Sequence, residues 1–292
     1  MKQPRKHHYV PRCYLKYFAT NHKNEFRVKV IDKDKNKPYI ANIKDIAAEK
    51  DFNRIWDSEK EFYWEHFFSR EVEPMIPKVL DNLIAVSNII NNRSIILNKS
   101  FKRELAKIIC FQQLRTKKAR KMQFRLGEKV ATEVLTSVEN ELDKYLSTEQ
   151  REYLNDFKYN ENFHKEITFP IITSPERLDK FIEILLKKHW VLYKTPSSKK
   201  YSFLTSDNPV CMYNFSSKST TYADNGLGVR ETVIFFPVSK NLLIALYDPK
   251  TYFSLLKNVD GTLVVADSNF VMNINKLQYE QCLRQAYFSL DV

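Results

Sequence analysis

The sequence predicts an α+β fold, in which a long helical middle region packs with a mostly antiparallel sheet. Between residues 58 and 189, apolar side chains recur every three or four positions, which is the spacing of one helix face. From Trp190 onwards the chain changes to short apolar or alternating segments separated by polar turns, which is typical of antiparallel strands. An alternating segment at residues 26–31 is expected to add an N-terminal strand or hairpin to this sheet. Because strands and helices are separated along the chain, the pattern favours α+β.

The N-terminal region is predicted to contain a short helix followed by a hairpin. Pro11 suits the first turn of the helix. Four apolar residues recur at helical spacing around it: Val10, Tyr14, Leu15 and Phe18. Residues 39–41 are expected to pair with the strand at residues 26–31. Residues 44–50 are predicted to form a short helix, and residues 52–57 an aromatic loop.

The first helical block of the middle region is predicted to begin at Ser58 and to run to about Ile90. Ser58 is a candidate N-cap, because Glu61 follows three residues later as in a capping box. Pro74 and Pro77 interrupt the block, so we expect two helices or one kinked helix.

The second helical block is predicted to run from about Asn98 to Leu146, with a break near Gly127. A further helix opens with Ser174 as its N-cap and Pro175 at its first position, which is a common helix start.

The C-terminal region is predicted to be a sheet closed by a helix. Six segments have the character of strands: residues 190–195, 201–205, 209–213, 232–238, 242–247 and 262–265. Asp267 or Ser268 is expected to cap a closing helix that extends to about Phe288. Since no repeat or linker is visible, residues 1–292 are predicted to form a single domain. It consists of an N-terminal motif and hairpin (1–57), a helical region (58–189) and a β-rich region with the closing helix (190–292).

The composition favours a polyanionic partner. The chain has 47 Lys and Arg against 35 Asp and Glu, which gives a formal charge of +12. This excess indicates nucleic acid, RNA or DNA, before a membrane surface, although a generally basic protein would show it too. With only 4 glycines and no G-x-x-x-x-G-K-[ST] or G-x-G-x-x-G pattern, the P-loop and Rossmann classes lack their signature.

The cysteines and the chain ends predict a reduced cytoplasmic protein. Four cysteines are scattered without a C-x-x-C pair, so neither a zinc framework nor a secreted disulfide scaffold is indicated. The N-terminus is charged and has no apolar core of a signal peptide. No apolar run approaches the ~20 residues that span a bilayer, so no membrane partner is expected. A protein partner or a homo-oligomer is left open.

The most unusual stretch opens the chain and contains two adjacent histidines, His7 and His8. Histidine titrates near neutral pH and serves as acid, base or ligand, but paired histidines near a terminus are also common as solvated or capping groups. The stretch His7-His8-Tyr9-Val10-Pro11, followed by Tyr14-Leu15 and Phe18, resembles the opening motif of a bacterial family, domain of unknown function 4238.

Three later stretches resemble the same family in the same order: Gln112-Gln113-Leu114-Arg115-Thr116, then Phe203-Leu204-Thr205-Ser206-Asp207-Asn208-Pro209-Val210, then Asn273-Ile274-Asn275 with the helix after it. Together they extend over nearly the whole chain. The family pattern also has a glutamate in the first helical block, for which Glu65, Glu71 and Glu73 are candidates. The family has no assigned activity, so the resemblance implies which residues belong together and no mechanism.

The second block places two polar residues on its apolar face. At 100° per residue, Gln112 falls at the centre of the apolar stripe and Arg115 near its edge. Burying such groups costs about 1–3 kcal/mol unless they are hydrogen-bonded, so both are expected to face a polar partner. Arg115 either clamps a phosphate or pairs with a glutamate of the preceding helices. Lys117 and Arg120 are expected on other, exposed faces, in a basic band that contacts backbone phosphates or is merely solvated.

The tetrapeptide Ser206-Asp207-Asn208-Pro209 is a strong turn signal in its own right. If it meets the histidines, a histidine acts as general acid or base and Asp207 orients it. Arg115 then stabilises phosphate charge, and Gln112, Ser206 and Asn208 position the substrate. This set suits metal-independent RNA cleavage; a divalent metal held by a histidine and Asp207 is the second version.

The hypothesis is therefore a nucleic-acid-directed phosphodiesterase or nuclease, as in a toxin or a phage-defence effector. The alternative is a non-catalytic nucleic-acid- or nucleotide-binding module or sensor whose inner polar cluster is structural. Whether the protein is an enzyme is left open by the sequence.

Overall fold

A computed structural model describes residues 5–90, 96–196, 201–221, 224–256 and 258–291. The ends of the predicted domain, residues 1–4 and 292, lie outside these ranges. Twelve strands are described: β1 (Lys6–His8), β2 (Thr20–His22), β3 (Glu25–Asp32), β4 (Tyr39–Asn42), β5 (Ala48–Lys50), β6 (His189–Lys194), β7 (Thr205–Ser206), β8 (Cys211–Asn214), β9 (Thr232–Ser239), β10 (Leu242–Tyr247), β11 (Thr262–Val265) and β12 (Gln285–Phe288).

Ten α-helices are described within the same ranges: α1 (Arg12–Leu15), α2 (Tyr63–Phe67), α3 (Met75–Ile89), α4 (Lys99–Arg115), α5 (Lys117–Leu142), α6 (Thr148–Asp156), α7 (Glu161–Thr173), α8 (Pro175–Leu186), α9 (Phe253–Leu256) and α10 (Ser268–Gln281). A π-helical turn at Phe68–Val72 follows α2, so the first helical block is interrupted, as its prolines predict. The described residues contain no helix that is both long and apolar enough to cross a membrane.

The strands form two five-stranded sheets and one two-stranded ribbon. One sheet has the order β11-β6-β10-β9-β8, in which only β11 and β6 run parallel. The other has the order β2-β3-β12-β7, with β4 pairing to β3. The ribbon pairs β1 with β5, so that His7 lies opposite Glu49. The predicted α+β class, with a helical middle and mostly antiparallel strands from both ends of the chain, is confirmed.

One apolar core joins the N-terminal motif, the helices and the strands. Val10, Tyr14, Leu15 and Phe18 are each at most 1 % exposed. The Tyr14 hydroxyl donates to the carbonyl of Pro237 at 2.6 Å. The unusual N-terminal stretch is therefore fixed to the C-terminal sheet through both apolar contacts and a buried hydrogen bond.

The second helical block breaks at Thr116, and the prediction of a break near Gly127 is wrong. Thr116 has extended backbone (ψ 152°), and its hydroxyl accepts from the backbone N–H of Ala119 at 3.2 Å, which starts α5 as a new helix. Gly127 remains helical. A Cβ at that position would lie 2.0 Å from the Tyr159 hydroxyl, so this glycine allows close packing rather than a break.

Four other predicted elements differ. The strand predicted at residues 201–205 is confined to Thr205 and Ser206. Residues 44–50 do not form a helix, because residues 48–50 pair with β1 instead. The first block starts at Tyr63, since the Ser58 hydroxyl accepts from the N–H of Lys60 in a turn. The closing helix is capped by Asp267 but ends at Gln281, and residues 285–288 form a strand that pairs with β3 and β7.

Candidate functional site

His7 lies in the β1–β5 ribbon, fully buried. Its Nδ1 accepts from the backbone N–H of Asn53 at 2.9 Å and lies 3.9 Å from a Glu65 carboxylate oxygen. The Asn53 side chain donates to the same Glu65 oxygen at 2.6 Å and accepts from Arg120 at 2.7 Å. Asn53 thus connects the first histidine of the motif to an arginine of α5.

Arg120 is buried, and the prediction that it lies on an exposed face is wrong. It is 9 % exposed, donates to the carbonyl of Phe52 at 3.0 Å, and packs between the rings of Phe52 and Trp64. Burial and the charge of Arg115 lower the pKa of Arg120 to about 9, so the guanidinium stays charged at neutral pH. The break at Thr116 gives α5 its own axis. The prediction for Arg120 assumed one continuous helix and therefore placed its side chain on the wrong face.

Arg115 points inward, as predicted, and finds a structural partner. One terminal nitrogen donates to the carbonyl of His8 at 2.7 Å and to Glu73 at 2.9 Å, while the guanidinium stacks on Phe68. The Gln112 side chain donates to the carbonyl of Tyr9 at 3.4 Å. Both side chains of the Gln-x-x-Arg motif therefore hold the backbone of the His-His motif in place.

His8 is half-buried and neutral. Burial, with the charges of Arg12, Lys6 and Arg115, lowers the pKa of His8 to about 4. Its Nε2 has no hydrogen-bond partner among the described residues.

Asp207 is 3 % exposed, and its carboxylate oxygens accept hydrogen bonds from backbone groups. The N–H groups of Leu283, Arg284 and Gln285 donate to its two oxygens at 2.7, 2.7 and 2.9 Å. Burial raises the pKa of Asp207, and these three donors act against that rise. The carboxylate thereby shapes the connection between α10 and β12.

The neighbours of Asp207 are held by glutamines of α10. The Ser206 hydroxyl accepts from the Gln278 side chain at 2.6 Å, and the Asn208 amide donates to the carbonyl of Gln281 at 3.3 Å. The Thr116 hydroxyl donates to the Asn208 side chain at 3.4 Å. Asn208 therefore connects this loop to the junction of α4 and α5.

The predicted residues lie in three adjoining groups rather than around one reacting point. His7 and Arg120 meet at Asn53; His8 and Gln112 meet near Arg115; the third group is the loop of residues 206–208. We call these three groups the inner polar cluster. Most of their contacts are to backbone groups, so the arrangement positions segments of the chain. Among the described residues, no group of three or more His, Cys, Asp or Glu is arranged to hold a metal ion.

A cleft of about 640 Å³ lies directly outside the inner polar cluster. It is bounded by the β1–β5 ribbon with the loop that follows it, the first half of α5 and the start of α7. Seven cationic residues line it: Arg5, Lys50, Lys117, Arg120, Lys121, Arg125 and Lys165. Four acidic residues line it: Glu49, Asp51, Glu128 and Glu161. Three aromatic rings complete the wall: Phe52, Trp56 and Phe124. We call this space the cleft.

The cations of the cleft differ in what they contact. Arg5 pairs with Asp51 at 2.6 Å, and Lys117 pairs with Glu49. Lys121 and Arg125 are exposed, and no hydrogen bond or ion pair joins either to another described residue. Two cations one helical turn apart are thus available to a ligand.

Trp56 is 44 % exposed, although Arg54 lies 3.5 Å from its ring centroid. The ring therefore presents exposed aromatic surface within the wall of the cleft.

His164 is also part of the cleft lining. Its Nδ1 is hydrogen-bonded to the Tyr159 hydroxyl at 2.6 Å, and its Nε2 has no partner among the described residues. Burial and the charge of Arg120 lower the pKa of His164. Tyr159 reaches this position only because residue 127 is a glycine.

The sequence predicts Lys117 in an exposed basic band, and Lys117 does line the cleft, but most other residues of the cleft are not predicted as site residues. The aromatic loop at residues 52–57 is visible in the sequence and supplies Phe52 and Trp56. Nothing in the local sequence marks Phe124 or His164, since their role depends on the approach of α7 to α5.

Comparison with known proteins gives a family and no activity. Neither a curated protein nor a solved structure matches this chain. Residues 6–291 match a family described as "Protein of unknown function (DUF4238)". The match includes all three groups of the inner polar cluster and every residue that lines the cleft except Arg5, and the chain belongs to the DUF4238 family.

Proposed function

We propose that the protein binds single-stranded nucleic acid in the cleft. The observation that carries this proposal is the composition of the cleft wall: seven cations and three aromatic rings around about 640 Å³. Proteins that bind single strands combine a positive groove for the backbone with aromatic rings on which bases stack. The volume also lies within the range of ligand-binding clefts.

The phosphates are assigned to Lys121 and Arg125. Both are exposed, lie one turn apart on α5, and are not neutralised by a described carboxylate. Cations that already have an internal partner gain less from a phosphate, because that partner has to be displaced. The net charge of +12 supports association with a polyanion from a distance.

The bases are assigned to the aromatic side of the wall, principally to Trp56. Its exposed ring offers a stacking surface, and stacking tolerates any base because every base has a π face. A duplex would hide its base faces, so this wall favours single strands over double-stranded DNA.

Binding fits the inner polar cluster better than cleavage does. The Asp207 carboxylate accepts three backbone N–H groups, and one terminal nitrogen of Arg115 donates to Glu73 and to a carbonyl, while the other two guanidinium nitrogens are buried without a hydrogen-bond partner among the described residues. A catalytic acid or base needs a lone pair or proton within reach of the substrate.

The proposed setting is the cytoplasm, in keeping with four cysteines that are all free thiols.

Phosphodiester cleavage is the second candidate, and one observation favours it. His8 has an imidazole that is neutral at neutral pH and an Nε2 without a partner. Such a nitrogen is suited to act as a general base if a substrate reaches it.

The experiment is fluorescence anisotropy with labelled RNA and DNA single strands of about twelve nucleotides and with duplex DNA of the same length, a length within the range of single-strand sites. The test variant is Lys121→Glu with Arg125→Glu. The matched control is Arg230→Glu with Lys250→Glu, which makes the same charge change at exposed residues outside the cleft.

We expect the wild type to prefer single strands, and the cleft variant to bind at least about tenfold more weakly than the control variant. Equal losses of affinity in both variants would show a general charge effect and would contradict the assignment of the binding site to the cleft. Parallel reactions with EDTA, Mg²⁺ or Mn²⁺, in wild type and His8→Ala, test for cleavage. If the wild type cleaves a strand and a folded His8→Ala protein does not, the second candidate, phosphodiester cleavage, replaces the binding proposal.

A further inference from the structure

A second pocket of about 470 Å³ adjoins the cleft. It lies between the β1–β5 ribbon, the start of α5 and the connection from α10 to β12. Three residues line both spaces: Glu49, Lys117 and Lys121. The cleft and the second pocket therefore adjoin at a wall that these three side chains form.

The wall consists of an ion pair beside an unpaired cation. Glu49 accepts from the ammonium group of Lys117, and their side chains are 46 % and 33 % exposed. Lys121 makes no hydrogen bond or ion pair with another described residue. An ion pair this exposed is weakly held, because water screens both charges.

We infer that Glu49 competes with the bound strand for Lys117. A backbone phosphate displaces the Glu49 carboxylate from the Lys117 ammonium group, and the strand then passes from the cleft into the second pocket. This inference rests on the proposed function. The position of the ion pair supports this inference. The Glu49 carboxylate holds the Lys117 ammonium group at the wall that a strand longer than the cleft crosses to reach the second pocket.

The replacement is chemically matched. A phosphodiester, like a carboxylate, presents anionic oxygens to an ammonium group. Once Glu49 has moved away, Lys117 and Lys121 both face the same phosphate, so one more cation contributes to binding. Glu49 then reduces the affinity for every strand that crosses the wall and excludes weakly held ligands.

The test is a double-mutant cycle on strand binding with Glu49→Gln, Lys117→Gln and the double variant. Glu49→Gln frees Lys117 and is expected to tighten binding of a strand of about eight nucleotides by three- to tenfold. The slope of log affinity against log salt is expected to steepen by about 0.7, the value for one additional phosphate contact of a single strand. In the Lys117→Gln background the same change is expected to have no effect, because the competed cation is gone.

The matched control is Glu133→Gln, which removes a carboxylate from another exposed pair, Lys129–Glu133 on the distal part of α5. It is expected to leave the affinity within about twofold of wild type, since exposed charges beyond a Debye length are screened. Thermal melting confirms that each variant is folded.

Three results would overturn the inference: no gain in Glu49→Gln, an equal gain in Glu133→Gln, or a gain that persists without Lys117. Each of these leaves strand binding by the wild type intact and so leaves the proposed function standing. If no strand binds to the wild type or to any variant, the proposed function and this inference are both wrong.

Discussion

The inner polar cluster and the cleft adjoin at Arg120, which belongs to both, and their charged groups differ in exposure and in partners. In the cluster, Asp207 is 3 % exposed and accepts three backbone N–H groups. In the cleft, Lys121 and Arg125 are exposed and make no ion pair with another described residue. Buried polar groups without partners are costly, whereas exposed cations cost little. The difference indicates that the cluster holds the chain together, and it supports the proposal that the cleft binds a ligand.

The residues of the His-His motif support the cleft without lining it. The His-His motif forms β1, and its partner β5 supplies Glu49 and Lys50 to the cleft wall. His7 and Arg120 are joined through Asn53, which follows β5 in the chain. Under the proposed function, the motif supports the binding surface, and the surface itself is the cleft wall next to it.

The largest expected effect is the destabilisation caused by Asp207→Asn. An amide has one acceptor oxygen for three donors and turns its own N–H groups towards them, so buried donors lose their partner. We expect the free energy of unfolding to fall by about 3 kcal/mol, measured by urea denaturation.

The control for this change is Asp156→Asn in α6, an exposed carboxylate with no contact to the cluster. It is expected to change stability by less than about 0.5 kcal/mol. If Asp207→Asn is as stable as this control, the carboxylate does not hold the connection between α10 and β12, and the structural interpretation of the cluster is wrong.

A second effect of the cluster is a dependence of stability on pH through His8. Its pKa is about 4 in the folded protein, against an ordinary value near 6.5 in the unfolded chain. Between these values the unfolded chain binds more protons, so the free energy of unfolding falls as the pH falls from about 6.5 to about 4. We expect this contribution to be roughly 2 kcal/mol, because His8 is only partly removed from solvent.

Denaturation of wild type and His8→Gln at several pH values measures this contribution. The variant is expected to lose less stability than wild type between pH 6.5 and 4. His22→Gln, a change at an exposed histidine in β2, serves as the comparison and should follow wild type. Parallel pH curves for wild type and His8→Gln would show that His8 titrates normally.

On the cleft side, the stronger expected effect is that of Trp56→Ala on strand affinity. Stacking on an aromatic ring contributes about 1–3 kcal/mol per base, so we expect binding to weaken about tenfold or more by fluorescence anisotropy. Tyr153→Ala in α6 removes an exposed ring outside the cleft, and its affinity should equal that of wild type. If both variants bind equally well, Trp56 does not stack on a base.

The smallest expected effects come from single charges. Lys121→Gln and Arg125→Gln should each reduce the slope of log affinity against log salt by about 0.7, the value for one phosphate contact of a single strand. The measurement is a salt titration at constant pH. An unchanged slope in either variant would remove that residue from the phosphate contacts, while an equal change in Arg230→Gln would show that the slope reports overall charge.

The sequence predicts the parts of this fold that depend on local chemistry. Ser174 caps α8 with Pro175 at its first position, and the strands at residues 189–194, 232–239 and 242–247 lie where alternation and turns place them. The inward direction of Arg115 also follows from helical periodicity, since its position on the apolar face requires a partner.

The elements that differ depend on contacts between distant segments. Residues 285–288 become a strand because β3 and β7 lie on either side, and Asp207 binds the N–H groups just before it. The break at Thr116 depends on one residue with extended backbone, which propensity does not single out. The cleft exists only after α7 has packed near α5, so its aromatic wall is scattered along the sequence from Phe52 to His164.

The most direct test of the central claim compares two variants in two measurements, stability and strand affinity. We expect a separation on a strand of about four nucleotides, chosen to occupy the cleft alone because Asp207 also lines the second pocket: Asp207→Asn loses stability, while its folded fraction binds this strand like wild type. The double variant Lys121→Gln with Arg125→Gln keeps the stability of wild type and loses affinity. If Asp207→Asn, measured where it is fully folded, loses as much affinity as the cleft variant does, the inner polar cluster belongs to the ligand site and the separation of support from surface is contradicted.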